Sequence, residues 1–216
     1  MGFELKDAFE VARTEIAGYA QWFTSALASP TYIGQRALEW RDDGGPAGAG
    51  GNKDFYAVLL VSAVLGATIG AIIPDRPPLK DRFTVALVVV LAWLFISVCT
   101  HFFVRLFRGT APLGVTVRAM MQVLAMAYVA SNFVALLVTS AAAVFTPLKS
   151  LLVHNDLETP GSILVLAQFL LLLVYIPLTL RAAHGTRGIL AGTAVGVLSA
   201  LFGAGIAMAL VTQQSC

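Results

Sequence analysis

Histidine and arginine side chains gather at two places in an otherwise apolar chain. The segment HFFVRLFRGTAPLGVTVR, residues 101–118, contains one histidine and three arginines, and the segment RAAHGTRG, residues 181–188, contains a second histidine between two arginines. Imidazole can exchange protons or bind a metal, and guanidinium groups bind carboxylates and phosphates. The candidate site residues are therefore His101, Arg105, Arg108, Arg118, Arg181, His184 and Arg187.

Three interpretations of these clusters are open. Each cluster follows a long apolar segment, and arginines at the ends of membrane helices reach the phosphate level of the bilayer, where cations also complement the helix dipole. In the second interpretation, the two clusters form one basic pocket that binds a lipid headgroup or an acidic segment of a partner. A metal site is the third, but the sequence offers no third ligand, so we predict neither a metal nor a cofactor.

The positions of the carboxylates argue against several classes of membrane enzyme and transporter. All twelve Asp and Glu residues lie in the N-terminal region or in predicted loops, and none lies inside an apolar segment. Proton-coupled transporters and intramembrane aspartyl proteases require buried acids. Serine catalysis would require a base near a membrane serine, and no histidine lies in the middle of an apolar segment. The sequence therefore predicts a protein that is not an enzyme.

The elements that must position these residues are membrane helices. The chain has 216 residues, of which 58% are hydrophobic and 12% are charged, whereas a soluble domain carries about 25% charged residues. The apolar residues occur in blocks of about twenty, the length that crosses a bilayer as a helix. The sequence predicts an all-α polytopic membrane protein with five spans, which are Phe55–Ile73, Phe83 to about Phe103, Val115 to about Phe145, Ser162–Leu180 and Ile189–Val211.

The first 43 residues form a predicted amphipathic helical region that does not cross the membrane. Apolar residues recur at spacings of three and four from Leu5 to Leu27, and Ser29–Pro30 ends the first helix. The opposite side is acidic on balance, whereas helices that lie on anionic lipid usually carry Lys and Arg there. We therefore expect packing on protein, either the chain's own bundle, a second copy or another subunit, with the lipid surface as the alternative. Residues 44–54 form a predicted flexible Gly-rich linker, and residues 55–216 form the transmembrane domain.

The distribution of positive charge predicts the orientation. With the N-terminus in the cytoplasm, ten Lys and Arg residues lie on the cytoplasmic side and four lie outside. Because cytoplasmic loops carry an excess of Lys and Arg, we predict a cytoplasmic N-terminus and a periplasmic C-terminus. The composition, rich in Ala, Leu and Arg, indicates a bacterial inner-membrane protein. The net charge of +2 gives no indication of nucleic-acid binding.

Small and amide side chains within the spans predict close helix packing. Small residues recur every fourth position in the fifth span, at Gly188, Gly192, Gly196, Ala200 and Ala204, and the first span contains Gly66 and Gly70. Such faces let helix backbones approach closely, and Asn132 and Gln168 should hydrogen-bond other helices. We expect the N-terminal helix and the fifth span to make a homo-oligomer or to join a larger membrane complex.

Three segments together resemble the Yip1-domain family in its bacterial form. They are ASPTYIGQRALEW at residues 28–40, HFFVRLFRG, which fits an H-x-x-x-R-L-x-x-G pattern through His101, Arg105, Leu106 and Gly109, and YIPLTLRAAHGTRGILAG at residues 175–192. The chain departs from the family pattern at Thr110, where a second glycine is expected. The resemblance implies a non-enzymatic integral membrane protein with five spans and a cytoplasmic N-terminus.

Two functions follow from this combination of features. The first is a membrane scaffold or accessory subunit that acts by helix packing with a partner membrane protein or with itself. The alternative is a channel or transporter for a small solute or a lipid, with a polar pathway between the helices near Asn132, Gln168, His101 and His184. A continuous polar cavity would favour the second function, and an interior filled by side chains would favour the first.

Overall fold

The computed structural model describes residues 5–42, 49–72, 79–155, 160–185, 193–194 and 197–198. Within these ranges the regular structure is entirely helical, which confirms the predicted all-α class for the described part of the chain. Its seven helices are α1 (Leu5–Ala28), α2 (Pro30–Asp42), α3 (Ala49–Ile72), α4 (Leu79–Leu106), α5 (Leu113–Val144), α6 (Thr146–His154) and α7 (Pro160–His184).

Two of these helices are long and apolar enough to cross a membrane. They are α5, with 32 residues, and α7, with 25 residues. Helices α3 and α4 contain shorter apolar stretches, Phe55–Gly70 and Val90–Leu106. By length and composition the described ranges therefore contain two candidate spans. The predicted fifth span lies almost wholly outside these ranges.

Prolines set two of the helix boundaries, as the sequence predicts. Helix α1 ends at Ala28, and Pro30 occupies the first position of α2, where its missing N–H costs no hydrogen bond. Phe145 interrupts the helix between α5 and α6 with an extended backbone, and Pro147 lies in the first turn of α6. The sequence predicts a loop after Phe145, whereas the structure has helix α6 there.

Helix α3 begins earlier than its apolar segment. It starts at Ala49, inside the segment predicted as a flexible linker, and six residues before Phe55. A helix satisfies its own backbone hydrogen bonds, so it can continue beyond the apolar residues at modest cost despite Gly50 and Gly51. Composition alone had indicated flexibility there. Residues 43–48 lie outside the described residues.

Helix α5 is the centre of the bundle. It packs against α2, α3, α4 and α7, and every residue from Ala119 to Ala127 is buried. A helix that is buried on all sides must be apolar all round, and this stretch is AMMQVLAMA, with Gln122 as its one polar residue. The main hydrophobic cluster includes Met120, Val123 and Met126 of α5.

The N-terminal helices pack on the chain's own bundle. The phenol of Tyr175 in α7 donates a hydrogen bond to the carbonyl of Leu27 at 2.5 Å, and the hydroxyl of Thr179 donates to the carbonyl of Pro30 at 2.8 Å. The Leu27 carbonyl belongs to the last turn of α1, where carbonyls have no partner within the helix. The sequence left three protein surfaces open for the packing of this region: the chain's own bundle, a second copy or another subunit. In the structure, the region packs on the chain's own bundle.

Helix α2 and the second half of α1 contribute to the interior. Trp22, Ala26, Ile33 and Ala37 are all buried. Tyr19 bonds Ser62 of α3 through the two hydroxyls at 3.0 Å. Burial raises the pKa of the Tyr19 phenol, an effect that the hydrogen bond to Ser62 partly opposes. The phenol is therefore neutral in the physiological range.

Two glycines allow helices to approach closely. A Cβ atom on Gly34 of α2 would collide with the Thr179 carbonyl and lie 2.7 Å from the Cβ of Ala182, both in α7. A Cβ atom on Gly66 of α3 would collide with the ring of Tyr128 in α5. Gly34 lies in the ASPTYIGQRALEW segment, and its close contact with α7 explains why a glycine occupies this position of the segment.

Candidate functional site

The two predicted histidines meet where α4 ends, α5 begins and α7 ends. The Nδ1 atom of His101 lies 3.0 Å from the hydroxyl of Thr116, and the same hydroxyl lies 3.0 Å from Nε2 of His184. The amide N–H of Ala111 donates to Nδ1 of His184 at 3.2 Å. His101, Thr116 and His184 are 6%, 0% and 5% exposed. This network, which we call the histidine clasp, ties α4, α5 and α7 together.

The hydrogen bonds define the protonation of both rings. The Ala111 amide can only donate, so Nδ1 of His184 carries a lone pair and the ring proton is on Nε2, from which it donates to Thr116. The Thr116 hydroxyl then donates to Nδ1 of His101, since the other acceptor in reach, the Pro112 carbonyl, is farther away at 3.4 Å. Both imidazoles are therefore neutral, with the tautomers assigned from their partners.

The connection between α4 and α5 is shaped to hold His184. The N–H of Gly109 donates to the Val104 carbonyl at 3.0 Å, and the N–H of Arg108 donates to the Arg105 carbonyl at 3.0 Å. This pair of bonds is the Schellman pattern of helix ends, in which the residue at the position of Arg108 takes a left-handed conformation. Arg108 has a φ of 61°, at a position that glycine usually occupies.

Glycine follows Arg108 for a different reason. A Cβ atom on Gly109 would lie 2.9 Å from Nδ1 of His184 and would also collide with the side chain of Val104. Only glycine leaves room for the imidazole to accept the hydrogen bond from Ala111. On the other side, α7 stops directly after His184, at Gly185 with a φ of 75°.

The predicted arginines that the structure describes lie in different environments. The guanidinium group of Arg105 donates a long hydrogen bond of 3.4 Å to the Gly109 carbonyl, and it lies close enough to act electrostatically on both imidazoles. Arg108 and Arg181 are exposed, and Arg118 is half-buried. The ion pair that the described residues form, Arg36 with Glu39 at 3.0 Å, lies within α2.

The arrangement is suited to holding helices together. Each imidazole nitrogen that faces Thr116 or Ala111 is already bonded, and the rings are buried. Among the residues that the structure describes, no three His, Cys, Asp or Glu side chains come together as metal ligands. A buried polar network orders the helices that contribute to it, because breaking one bond exposes the others to an apolar environment.

Sequence reasoning missed the residues that complete the clasp. Thr116 is one hydroxyl among many in the apolar segments, and the Ala111 contribution comes from the backbone, so neither has a signal in the sequence. Gln122 of α5 and Trp22 of α1 were also missed. Gln122 is completely buried. Among the described residues, neither its amide nitrogen nor its amide oxygen has a hydrogen-bond partner, and the indole N–H of Trp22 has none either. A glutamine within an apolar segment was the available signal.

The predicted packing residues lie in several different environments. Gly70 is buried, and Gln168 is half-buried. Asn132 is buried but donates to the carbonyl of Tyr128 in its own helix at 2.8 Å, where the sequence predicted a bond to another helix. The predicted site and packing residues that lie outside the described residues are Arg187, Gly188, Gly192, Gly196, Ala200 and Ala204.

Comparison of the chain with protein-family models, with curated proteins and with solved structures finds no match. The resemblance to the Yip1-domain family therefore remains a prediction from its motifs. Three residues of the H-x-x-x-R-L-x-x-G pattern have structural roles here. His101 joins the clasp, Arg105 bonds the carbonyl of Gly109, and Gly109 makes room for His184.

Proposed function

We propose that the protein is a multi-pass membrane scaffold or accessory subunit of the Yip1-like type, with no turnover of its own. The observation that carries the proposal is the use of its interior polar groups. In the described part of the chain, three buried polar side chains join α7 to its neighbours: Tyr175 to α1, Thr179 to α2, and His184 to α5. Groups that are committed to holding helices are not free to bind a substrate.

Exposed apolar stripes support a membrane location. On α7, Leu166, Leu170 and Val174 follow one another at spacings of four and are 42%, 53% and 51% exposed. On α4, Leu87 and Leu91 are 63% and 58% exposed. Water would disfavour such stripes by about 25 cal/mol for each Å² of apolar surface, whereas lipid would not. We infer that these faces contact hydrocarbon.

The outer side of α1 is the surface that we assign to a partner. Trp22 and Ala26 bury one side of this helix in the bundle, whereas Ile16 is 67% exposed beside the charged residues Arg13 and Glu15. We propose that Ile16 lies at the centre of this contact and that the charged residues lie at its polar rim. The small-residue face of the fifth span is the second surface, on the basis of sequence alone.

The test is recovery of an assembly from membranes. The intact protein is extracted in mild detergent, and its mass is measured by size-exclusion chromatography with light scattering, with any copurified protein identified by mass spectrometry. We expect a homo-oligomer or a stoichiometric partner that Ile16→Arg weakens at least several-fold. Leu151→Arg is the matched control, since Leu151 is also exposed, on α6. Recovery of a free monomer alone would contradict the proposal.

Gln122 supports the alternative, a channel or transporter for a small solute or lipid. A completely buried carboxamide without a partner costs free energy, and a polar pathway would give it one. Of the residues that the sequence assigned to this pathway, His101, His184 and Asn132 are occupied by hydrogen bonds, and Gln168 is half-buried. Solute flux into proteoliposomes that Gln122→Leu abolishes would favour this function over the scaffold.

A further inference from the structure

We propose that the end of α4 binds an anionic membrane phospholipid, with Arg105 and Arg108 on the phosphate and one acyl chain in an adjoining groove. The proposal goes beyond the scaffold function, because it needs the membrane but no protein partner. It also narrows the sequence hypothesis of one basic pocket. In this proposal the histidines hold helices together and do not bind the ligand. The arginines at the end of α4 bind it.

The groove is shallow and open to the outside, and its lining is mostly apolar, as a lipid chain requires. Its volume is about 550 Å³, and the described residues that line it are Cys99, Phe102, Phe103, Arg105 and Leu106. Four of these side chains are apolar or weakly polar, and Arg105 is the single charge. They occupy the last two turns of α4, with Arg105 and Leu106 at the helix end and the other three side chains one to two turns before it. A phospholipid has the same order of acyl chain and headgroup.

Most of the hydrogen-bond donors of Arg105 have no partner among the described residues. Guanidinium carries five N–H donors, and the bond that the described residues offer Arg105 is the long one to the Gly109 carbonyl. Its titratable neighbours are the two imidazoles of the clasp, which are neutral. Among the described residues, no carboxylate pairs with it. Two phosphate oxygens would provide the bidentate, charged acceptor that a guanidinium group binds best.

Arg108 adds a second cation three residues later, at a backbone position that disfavours it. Its φ of 61° costs conformational energy that a glycine would avoid. Strained positions of this kind are concentrated at functional sites. An exposed arginine here, directly beyond the end of the helix, places a second positive charge at the level where headgroups would lie.

A phospholipid fits this surface better than an acidic peptide. Phe102 and Leu106, which line the groove, are 64% and 78% exposed. A peptide backbone would need hydrogen-bonding groups along its length, and the lining offers them only at Arg105. An acyl chain needs none. The combination of an apolar groove and a cation at one end therefore selects a lipid.

Cys99 provides a direct test because it is exposed, free and part of the groove lining. The chain has two cysteines, so Cys216→Ser leaves Cys99 as the single thiol. The rate at which N-ethylmaleimide modifies this variant is measured in neutral detergent with added phosphatidylglycerol or phosphatidylcholine. We expect phosphatidylglycerol to slow the reaction at least threefold more than phosphatidylcholine at the same mole fraction.

Charge variants identify the residues responsible. Arg105→Gln with Arg108→Gln should remove the difference between the two lipids, and the corresponding lysine double variant should restore part of it. Arg13→Gln is the matched control, an exposed arginine of α1 that does not line the groove. Circular dichroism and elution volume report whether each variant is folded. The comparison of the two lipids uses the protein that keeps Arg105 and Arg108, so its result does not depend on whether the charge variants fold.

Three results would overturn the proposal. Equal protection of Cys99 by the two lipids would show that the phosphate charge is not recognised. Protection that persists in the folded glutamine double variant would assign it to other groups. Protection by glycerol 3-phosphate equal to that by phosphatidylglycerol would show a site for a free phosphate, without a role for the acyl chain. None of these results depends on whether the protein has a partner.

Discussion

At the scale of single residues, Thr116 is the point on which the site depends. Its hydroxyl accepts from His184 and donates to His101, so one side chain of α5 serves two helices that are distant in sequence. A threonine hydroxyl is suited to this position because it has one donor and two acceptor lone pairs. Serine would supply the same group with more rotational freedom, and valine would keep the shape without the group.

Thr116→Val tests the clasp with the smallest change in volume. The valine leaves the His184 Nε2–H and the His101 Nδ1 buried without a partner, and we expect a loss of about 1–3 kcal/mol in the free energy of unfolding. Thr139→Val is the control in the same helix, because the Thr139 hydroxyl bonds only carbonyls of α5. The measurement is thermal or denaturant unfolding in detergent. Equal effects of the two substitutions would contradict the clasp.

At the scale of helices, the short α2 is an integral part of the bundle. It packs on both α5 and α7, and Gly34 sets its distance from α7. The Thr179 bond to Pro30 then fixes where α2 begins. The amphipathic segment before α3 is therefore part of the bundle.

Gly34→Ala tests that attachment. The added methyl group would meet the α7 backbone, and we expect about 1–3 kcal/mol of destabilisation from overpacking. Gly18→Ala in α1 is the matched control, since a Cβ atom there meets nothing within 4 Å, and replacing a helical glycine by alanine stabilises by about 0.5–1 kcal/mol. Opposite signs of the two effects in the same unfolding assay are predicted. Stabilisation by both would show that α2 does not contact α7 closely.

The helical elements could largely be predicted from sequence, because apolar length, prolines and glycines act locally. Pro30 and the break near Phe145 are examples. Helix α6 was missed because its nine residues are too short for a periodic signal to stand out. The sequence could suggest that His101 and His184 meet, because both lie near helix ends. The bridge through Thr116 and the Ala111 backbone could not be predicted, because it depends on which helices are neighbours and on their rotation.

At the scale of the whole molecule, the described helices form a bundle whose polar groups tie helices together and whose apolar stripes face outward. Helix α5 is surrounded by α2, α3, α4 and α7. The outward stripes on α4 and α7 are the part of the surface that we assign to lipid, and the outer side of α1 is the part that we assign to a partner. The clasp lies at one end of this bundle, where the phospholipid site is also proposed.

The central proposal is that the chain crosses the bilayer five times, an odd number, with the N-terminus in the cytoplasm. It is tested by labelling with a membrane-impermeant maleimide in intact cells of a Cys99→Ser variant, which keeps Cys216, and of a second variant with Cys99→Ser, Cys216→Ser and Gly2→Cys. We predict that Cys216 is labelled in intact cells and that the cysteine at position 2 reacts only after the inner membrane is permeabilised. Labelling of both ends from the same side, or recovery of the protein in the soluble fraction, would contradict the account.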